Sequence, residues 1–121
     1  MSERSVGLLL EDICDAIEKI GRYIEGMTKS DFLDDEKTGD AVVRNLEIIG
    51  EAASRLPQGF RQEHSEIEWK KIVGLRHRIV HEYFGVDFEI VWNIITDILP
   101  FFQCSVQQIR ASEDDSQTGR H

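Results

Sequence analysis

Five ionisable side chains between residues 76 and 83 are the groups in this sequence best suited to chemistry. They are two guanidiniums, two imidazoles and a phenol, contributed by Arg76, Arg78, His77, His81 and Tyr83. An imidazole near its working pH can take a proton from a ribose hydroxyl, and a guanidinium can stabilise negative charge that grows on phosphorus. The cluster therefore suits phosphodiester cleavage.

Arg76 also interrupts an apolar stripe. The stripe that we predict on the third helix contains Trp69, Ile72, Val73, Ile79, Val80 and Tyr83. Burying a guanidinium without a partner is costly, so Arg76 must pair with a carboxylate, reach the surface, or face a cleft that holds an anion. Glu47 and Glu51 on the second helix are the candidate partners.

Helix geometry limits how Arg76 and His81 could act together. A separation of five residues on an ideal helix points their side chains about 140° apart, whereas Arg76 and Tyr83 nearly coincide. Arg76 and His81 can converge only if the helix bends or ends near His81, or if a second subunit completes the cleft.

A metal site is the competing chemistry. His77 and His81 are four residues apart, the spacing at which two imidazoles on one helix face can share a zinc ion. The nearest acidic residue, Glu82, faces elsewhere, and no cysteine is near enough to complete the ligand set. We therefore predict no metal, and the alternative for His77 is a solvent-facing or hydrogen-bonded side chain.

The spacing of apolar residues predicts four main helices. They cover roughly Val6 to Met27, Asp40 to Pro57, Trp69 to Gly85 and Asp87 to Ile109. Apolar residues recur there at steps of three and four, and no segment alternates with the period of two typical of strands. We predict an all-α fold, a bundle of mostly antiparallel helices with short helical pieces between them.

Several local signals refine these boundaries. Ser30 could cap a short helical turn, and Pro57 is expected to end the second helix. The stretch from Ser65 to Glu68 matches an S-x-x-E capping box just ahead of the third helix. Pro100 lies inside the last helix and predicts a kink there.

Length and composition are those of one soluble domain. The chain has 121 residues, 40% of them hydrophobic and 31% charged, and no apolar run approaches the roughly 20 residues of a membrane span. We predict a single domain over residues 1–110 and a disordered acidic tail over 111–121.

The N-terminus lacks the features of a secretory signal, which predicts a cytoplasmic protein. Cys14 and Cys104 are interpreted as reduced core thiols.

The charge is unevenly distributed. A formal net charge of -9 argues against broad nucleic-acid binding, which depends on Lys and Arg neutralising phosphates. Between residues 69 and 78, however, Lys70, Lys71, Arg76 and Arg78 occur without an acidic residue. Any RNA contact should therefore be local, although lysines of this kind can also simply solvate a helix face.

At these residues the sequence resembles the HEPN superfamily, and within it the HepT-like toxins of prokaryotic toxin–antitoxin pairs. Their signature of Arg, four residues, His, one residue and Tyr is matched by Arg76, His81 and Tyr83. The runs WKKIVGLRHRIVHEYFGVD, from residue 69 to 87, and RNLEIIGEA, from residue 44 to 52, are also similar to those toxins. The residue after the motif arginine is often Asn in this family, and here it is His77.

The resemblance implies a metal-independent endoribonuclease without a cofactor, toxic in a type VII-like pair. It implies a two-fold homodimer in which the motifs of both subunits line one cleft, with Arg76 and His81 as catalytic residues. It also implies a partner, a minimal nucleotidyltransferase antitoxin that neutralises the toxin by transferring AMP to Tyr83. A different interpretation stays open: a non-catalytic helical module that binds the nucleotidyltransferase or a nucleotide.

Overall fold

The computed structural model of the protein describes residues 4–81 and 85–118, and their side chains at positions 4–80 and 85–112. Its helices are α1 (Val6–Ile24), α2 (Lys29–Asp34), α3 (Glu36–Arg55), α4 (Gln58–Glu63), α5 (Trp69–Val73), α6 (Leu75–Ile79), α7 (Phe88–Asn93) and α8 (Leu99–Thr118). A π-helical turn, Ile94–Ile98, joins α7 to α8, and two short strands, β1 (Val80–His81) and β2 (Gly85–Val86), follow α6. The predicted all-α class is confirmed.

The helix pair α1 and α3 is the centre of the bundle. Each helix buries one face, and the two faces form the main core: Leu9, Leu10, Ile13, Ile17 and Ile20 from α1, and Val42, Leu46, Ile49 and Ala53 from α3. Helices α5 and α6 pack on α3, and α8 packs on α1. The predicted three- and four-residue periodicity of the first two main helices is therefore the periodicity of their buried faces.

Side-chain caps determine where the first helices begin. Ser5 caps α1 by accepting a hydrogen bond from the Leu8 amide at 3.2 Å. The short helix α2 is capped by Thr28 and Asp31, which bond each other's backbone N–H groups, so the cap predicted at Ser30 was wrong. Asp35 then caps α3, which starts four residues earlier than the predicted Asp40. As predicted, α3 ends just before Pro57.

The third long helix that the periodicity predicted is interrupted. It is divided at Gly74 into α5 and α6, and after Ile79 the chain becomes extended and forms a two-residue antiparallel ladder, Val80 with Val86 and His81 with Gly85. Gly85 has a φ of +74°, a conformation that glycine adopts without steric cost. The capping box predicted at Ser65 to Glu68 was also wrong, because no side chain caps α5.

The last helix begins as predicted and ends later. Asp87 caps α7 by accepting hydrogen bonds from the Glu89 and Ile90 amides at 3.1 and 3.2 Å. The wide π-helical turn over Ile94–Ile98 lies just before Pro100, whose ring and missing N–H cannot fit a regular i to i−4 ladder. Whereas the sequence predicted a disordered tail from residue 111, the backbone of α8 continues as helix to Thr118.

Two pairs of aromatic side chains connect the short helices α2 and α5 to the rest of the bundle. Phe32 of α2 contacts Trp92 of α7, with ring centroids 5.3 Å apart, and Trp69 of α5 contacts Phe102 of α8 at 5.9 Å. Cys14 is buried in α1 as predicted, but Cys104 is exposed on α8 and was wrongly placed in the core. In the described part of the chain, every helix is too short or too polar to cross a bilayer.

Candidate active site

Arg76 lies on the surface of α6 and not within the apolar stripe. Its side chain is 71% exposed, whereas the buried positions of this segment are Trp69, Ile72, Leu75 and Ile79. Because the helix is broken at Gly74, the buried stripe passes through Leu75, and Val80 is 40% exposed. The prediction that an arginine interrupts the stripe is corrected accordingly. The sequence had allowed Arg76 to pair with a carboxylate, to reach the surface, or to face a cleft that holds an anion. The structure shows an arginine that lies at the surface beside a carboxylate.

That carboxylate is Glu47 of α3. The Arg76 Nε atom lies 4.0 Å from Glu47 Oε2, whereas Glu51, the other predicted partner, pairs with Arg55 at 3.0 Å. Exposed ion pairs of this kind contribute only about 0–1 kcal/mol, and the long distance to Glu47 places this pair at the low end. The Arg76 guanidinium is therefore held near α3 but remains available to bind an anion.

Arg76 forms one wall of a groove of about 480 Å³ along α1 and α3, which we call the arginine groove. Its apolar floor consists of Leu9, Ile48 and Ala52, and its walls carry four arginines and three carboxylates: Arg4, Arg44, Arg55 and Arg76 with Asp12, Glu47 and Glu51. Arginines are suited to recognising phosphate because the guanidinium can donate two parallel hydrogen bonds. The groove therefore suits a phosphate-bearing ligand.

The backbone at His81 is extended. Helix α6 ends at Ile79, two residues before His81, and His81 pairs with Gly85 in the short ladder. Because the helix ends before His81, the side chains of Arg76 and His81 need not point about 140° apart as they would on an ideal helix. The His81 side chain and Tyr83 lie outside the described residues, so their roles stay predictions.

The other predicted basic residues do not converge on Arg76. His77 and Arg78 are exposed on α6, and Arg78 lines a different groove, shared with Lys71, Asp97 and Phe101. Lys71 forms an ion pair with Glu68 at 2.6 Å. Lys70 lines a third groove, beside Arg61 and Trp69. The basic side chains from residue 70 to 78 therefore lie on several different surfaces, because successive residues of α5 and α6 point in different directions around the helix axis.

Sequence reasoning missed the arginines that do accompany Arg76. Arg44 and Arg55 of α3 line the same groove, together with Arg4 just before α1. The sequence does contain a pattern that places two of these arginines on one face of a helix. Steps of four, three and four residues lead from Arg44 through Ile48 and Glu51 to Arg55. Only their proximity to Arg76 required the tertiary structure.

Among the described side chains, no three His, Cys, Asp or Glu residues are arranged to hold a metal ion. His77 belongs to these side chains, but its possible zinc-sharing neighbour His81 does not. The described charged groups around Arg76 are arginines, which suit anion binding, and carboxylates that are each paired with one of these arginines.

This chain is similar to a protein family and to individual proteins that are named as ribonucleases. The family model "Ribonuclease HepT-like" matches residues 13–109. The chain is 40% identical over 101 residues to "Probable ribonuclease HepT" of Thermococcus cleftensis, covering 84% of this chain and 92% of that protein. It is also 40% identical over 104 residues to "Putative RNase TTE0752" of Caldanaerobacter subterraneus subsp. tengcongensis, covering 86% and 93%. No solved structure is a significant match to the chain.

Proposed function

Because this chain belongs to the HepT-like ribonuclease family, we propose that it is a metal-independent endoribonuclease with Arg76 and His81 as its catalytic residues. The observation that carries the proposal is the state of Arg76, which is 71% exposed at a groove and whose one ion pair with the described side chains is a 4.0 Å contact to Glu47. A guanidinium held so weakly can bind a phosphate group without first losing a strong ion pair.

The proposed reaction uses the ribose of the substrate as the nucleophile. His81 takes the proton of a 2′-hydroxyl, and the oxygen attacks the adjacent phosphorus. The bond from phosphorus to the 5′-oxygen breaks, and that oxygen receives a proton from a general acid, leaving a 2′,3′-cyclic phosphate. Arg76 stabilises the negative charge on the phosphoryl oxygens in the transition state. Both catalytic groups are side chains, so this reaction needs no metal ion.

The active form is proposed to be a two-fold homodimer, with the motifs of both subunits lining one cleft. The supporting argument is chemical, because the reaction needs a general acid as well as a general base. A second copy of the motif can supply the proton donor that one His81 cannot supply while it acts as a base.

Regulation is proposed to act on Tyr83. A minimal nucleotidyltransferase antitoxin would transfer AMP from ATP to the tyrosine oxygen and release pyrophosphate. The phosphate of the adduct would lie seven residues from Arg76 in the chain and compete with RNA for that guanidinium. Intact mass after co-expression with such an enzyme should rise by adenylyl units in the wild type and stay constant in Tyr83→Phe. An unchanged wild-type mass would contradict this part of the proposal.

RNA cleavage in EDTA tests the activity itself. Purified protein is incubated with single-stranded RNA beside His81→Ala and Arg76→Ala variants, with circular dichroism to verify that all three are folded. We expect cleavage by the wild type only. A folded, unmodified wild type that leaves RNA intact would instead favour a non-catalytic module that binds a nucleotidyltransferase or a nucleotide. Activity abolished by EDTA would point to the His77 and His81 metal site.

A further inference from the structure

The arginine groove continues well beyond the catalytic arginine along α3. Arg44 and Arg55 are eleven residues apart on one face of this helix, which corresponds to about 16 Å along its axis. Glu47, which contacts Arg76, lies between them, about 4.5 Å from the level of Arg44 and about 12 Å from that of Arg55. Positive side chains therefore flank Arg76 in both directions along the groove.

The state of these arginines fits reversible anion binding. Arg44 is exposed and makes no ion pair with any described residue. Arg55 contacts Glu51 Oε1 through Nε at 3.1 Å and through Nη2 at 3.0 Å. Both side chains are 60% or more exposed, so a phosphate can replace the carboxylate at little cost. Arg4 is paired with Asp12 through two hydrogen bonds of 2.7 and 2.9 Å. Arg44 and Arg55 are therefore the side chains most readily available to a ligand.

The charge of the groove differs from that of the whole chain. Its four arginines outnumber its three carboxylates, whereas the protein as a whole has a net charge of -9. A polyanion is repelled by most of this protein's surface and meets a local excess of positive charge here. Ile48, which is partly exposed between the arginines, offers apolar surface to the flat face of a sugar or base.

We propose that the arginine groove binds the sugar–phosphate backbone of a single-stranded RNA, with Arg44 and Arg55 contacting phosphates on either side of the one held by Arg76. This inference rests on the proposed function and adds the path of the substrate to it. The 16 Å span matches roughly five stacked nucleotides at about 3.4 Å each. Guanidiniums on phosphates carry no sequence information, so the groove positions the strand and does not select its bases.

Binding of an uncleavable RNA tests the path independently of catalysis. The probe is a fluorescein-labelled 2′-O-methyl RNA of about 12 nucleotides, long enough for a single-strand site. Fluorescence anisotropy gives its Kd for the full-length wild type, Arg44→Gln, Arg55→Gln and the double variant. Arg22→Gln is the matched control, because it removes the same charge from an exposed position of α1 that lines a different groove. Glutamine is a good helix former, so the fold should be retained.

We expect each substitution in the groove to raise Kd by roughly tenfold, the effect of losing a charge-assisted hydrogen bond. The slope of log Kd against log salt should fall by about 0.7 for each arginine removed, and Arg22→Gln should bind like the wild type. In the cleavage assay the double variant should raise KM and leave kcat nearly unchanged, because its contacts are equal in the ground and transition states.

Two results would overturn the inference. One is a double variant whose Kd and salt slope equal those of Arg22→Gln, and the other is a wild type that does not bind the probe. Failure of the proposed function is distinguishable from both. A wild type that binds the probe through Arg44 and Arg55 but leaves ordinary RNA intact would retain the path and remove the catalysis.

Discussion

At the scale of single residues, the proposed function depends on how weakly Arg76 is held. A guanidinium locked between buried carboxylates would stabilise the fold and would not be free for a substrate. Arg76 is instead mostly exposed, with one carboxylate oxygen 4.0 Å away. Its contribution to stability should be small, and its contribution to catalysis should be the larger of the two.

We therefore predict that Arg76→Ala lowers kcat for RNA cleavage by about 10²–10³-fold, the effect of removing one transition-state donor. Its Tm should stay close to that of the wild type, because an exposed ion pair at 4.0 Å contributes little. Arg78→Ala is the matched control, two residues along the same helix and lining a different groove. An equal loss of kcat in both variants would show that α6 contributes only general positive charge.

At the scale of elements, α3 positions the site through Gly50. A Cβ atom at this position would lie 3.3 Å from the Ile72 carbonyl oxygen and 3.4 Å from that of Val73. Both oxygens belong to the end of α5, immediately before Gly74 and the helix that carries Arg76. The glycine thus allows the backbone of α5 to approach α3 closely.

We predict that Gly50→Ala does not gain the roughly 0.5–1 kcal/mol that the helix preference of alanine would give, because its Cβ must push back the carbonyl oxygens at the end of α5. Gly21→Ala in α1 is the control, since no atom lies within 4 Å of its added Cβ. That variant should gain about 0.5–1 kcal/mol. Urea unfolding followed by circular dichroism measures both. Equal stabilisation by the two alanines would mean that the α3–α5 contact is not tight.

The stabilisation that Asp35 gives to the first turn of α3 depends on pH. Its carboxylate accepts hydrogen bonds from the Thr38 amide at 3.0 Å and the Thr38 hydroxyl at 2.8 Å. These bonds, the backbone one first, lower the pKa of Asp35 below its ordinary value of 3.8. A carboxyl group whose pKa is lower in the folded state stabilises the fold above its unfolded pKa. That stabilisation is lost as pH falls through the folded pKa.

Asp35→Ala should accordingly lower Tm by several degrees near neutral pH, and the difference from the wild type should shrink as pH falls below 3.8. Thr28→Ala removes an uncharged cap from the neighbouring helix α2, so its deficit should persist into acid. Thermal melts of the three proteins across pH measure this. A deficit of Asp35→Ala that is constant with pH would contradict the assigned cause.

At the scale of the whole molecule, the question is whether one chain or two complete the active site. If one cleft takes Arg76 from one subunit and His81 from the other, mixed dimers of Arg76→Ala and His81→Ala contain an intact pair. We predict that co-refolding these two inactive variants restores part of the RNA cleavage. Each variant refolded alone is the control. No recovery, with mixed dimers demonstrated by tagged pull-down, would contradict a cleft that needs one Arg76 and one His81 from different subunits.

The helical class, the start of α1, the end of α3 and the motif formed by Arg76, His81 and Tyr83 could be predicted from the sequence. The end of α1 and the start of α3 could not, since α1 ends at Ile24 and α3 begins at Glu36. Apolar spacing is a local property, and the buried faces of α1 and α3 follow it because a long amphipathic helix has one way to bury its stripe. The end of α3 before Pro57 also follows from local backbone sterics.

Only the tertiary structure decided where the segment after Trp69 breaks and what surrounds Arg76. A glycine such as Gly74 can lie within a continuous helix or can end one. The packing of α5 and α6 against α3 favours the break at Gly74. That break places Leu75 in the core and Arg76 at the surface beside Glu47. The arginine groove brings Arg4 and Arg76 to the face of α3 that carries Arg44 and Arg55. Contacts between segments so distant in the chain leave no periodic signal in the sequence.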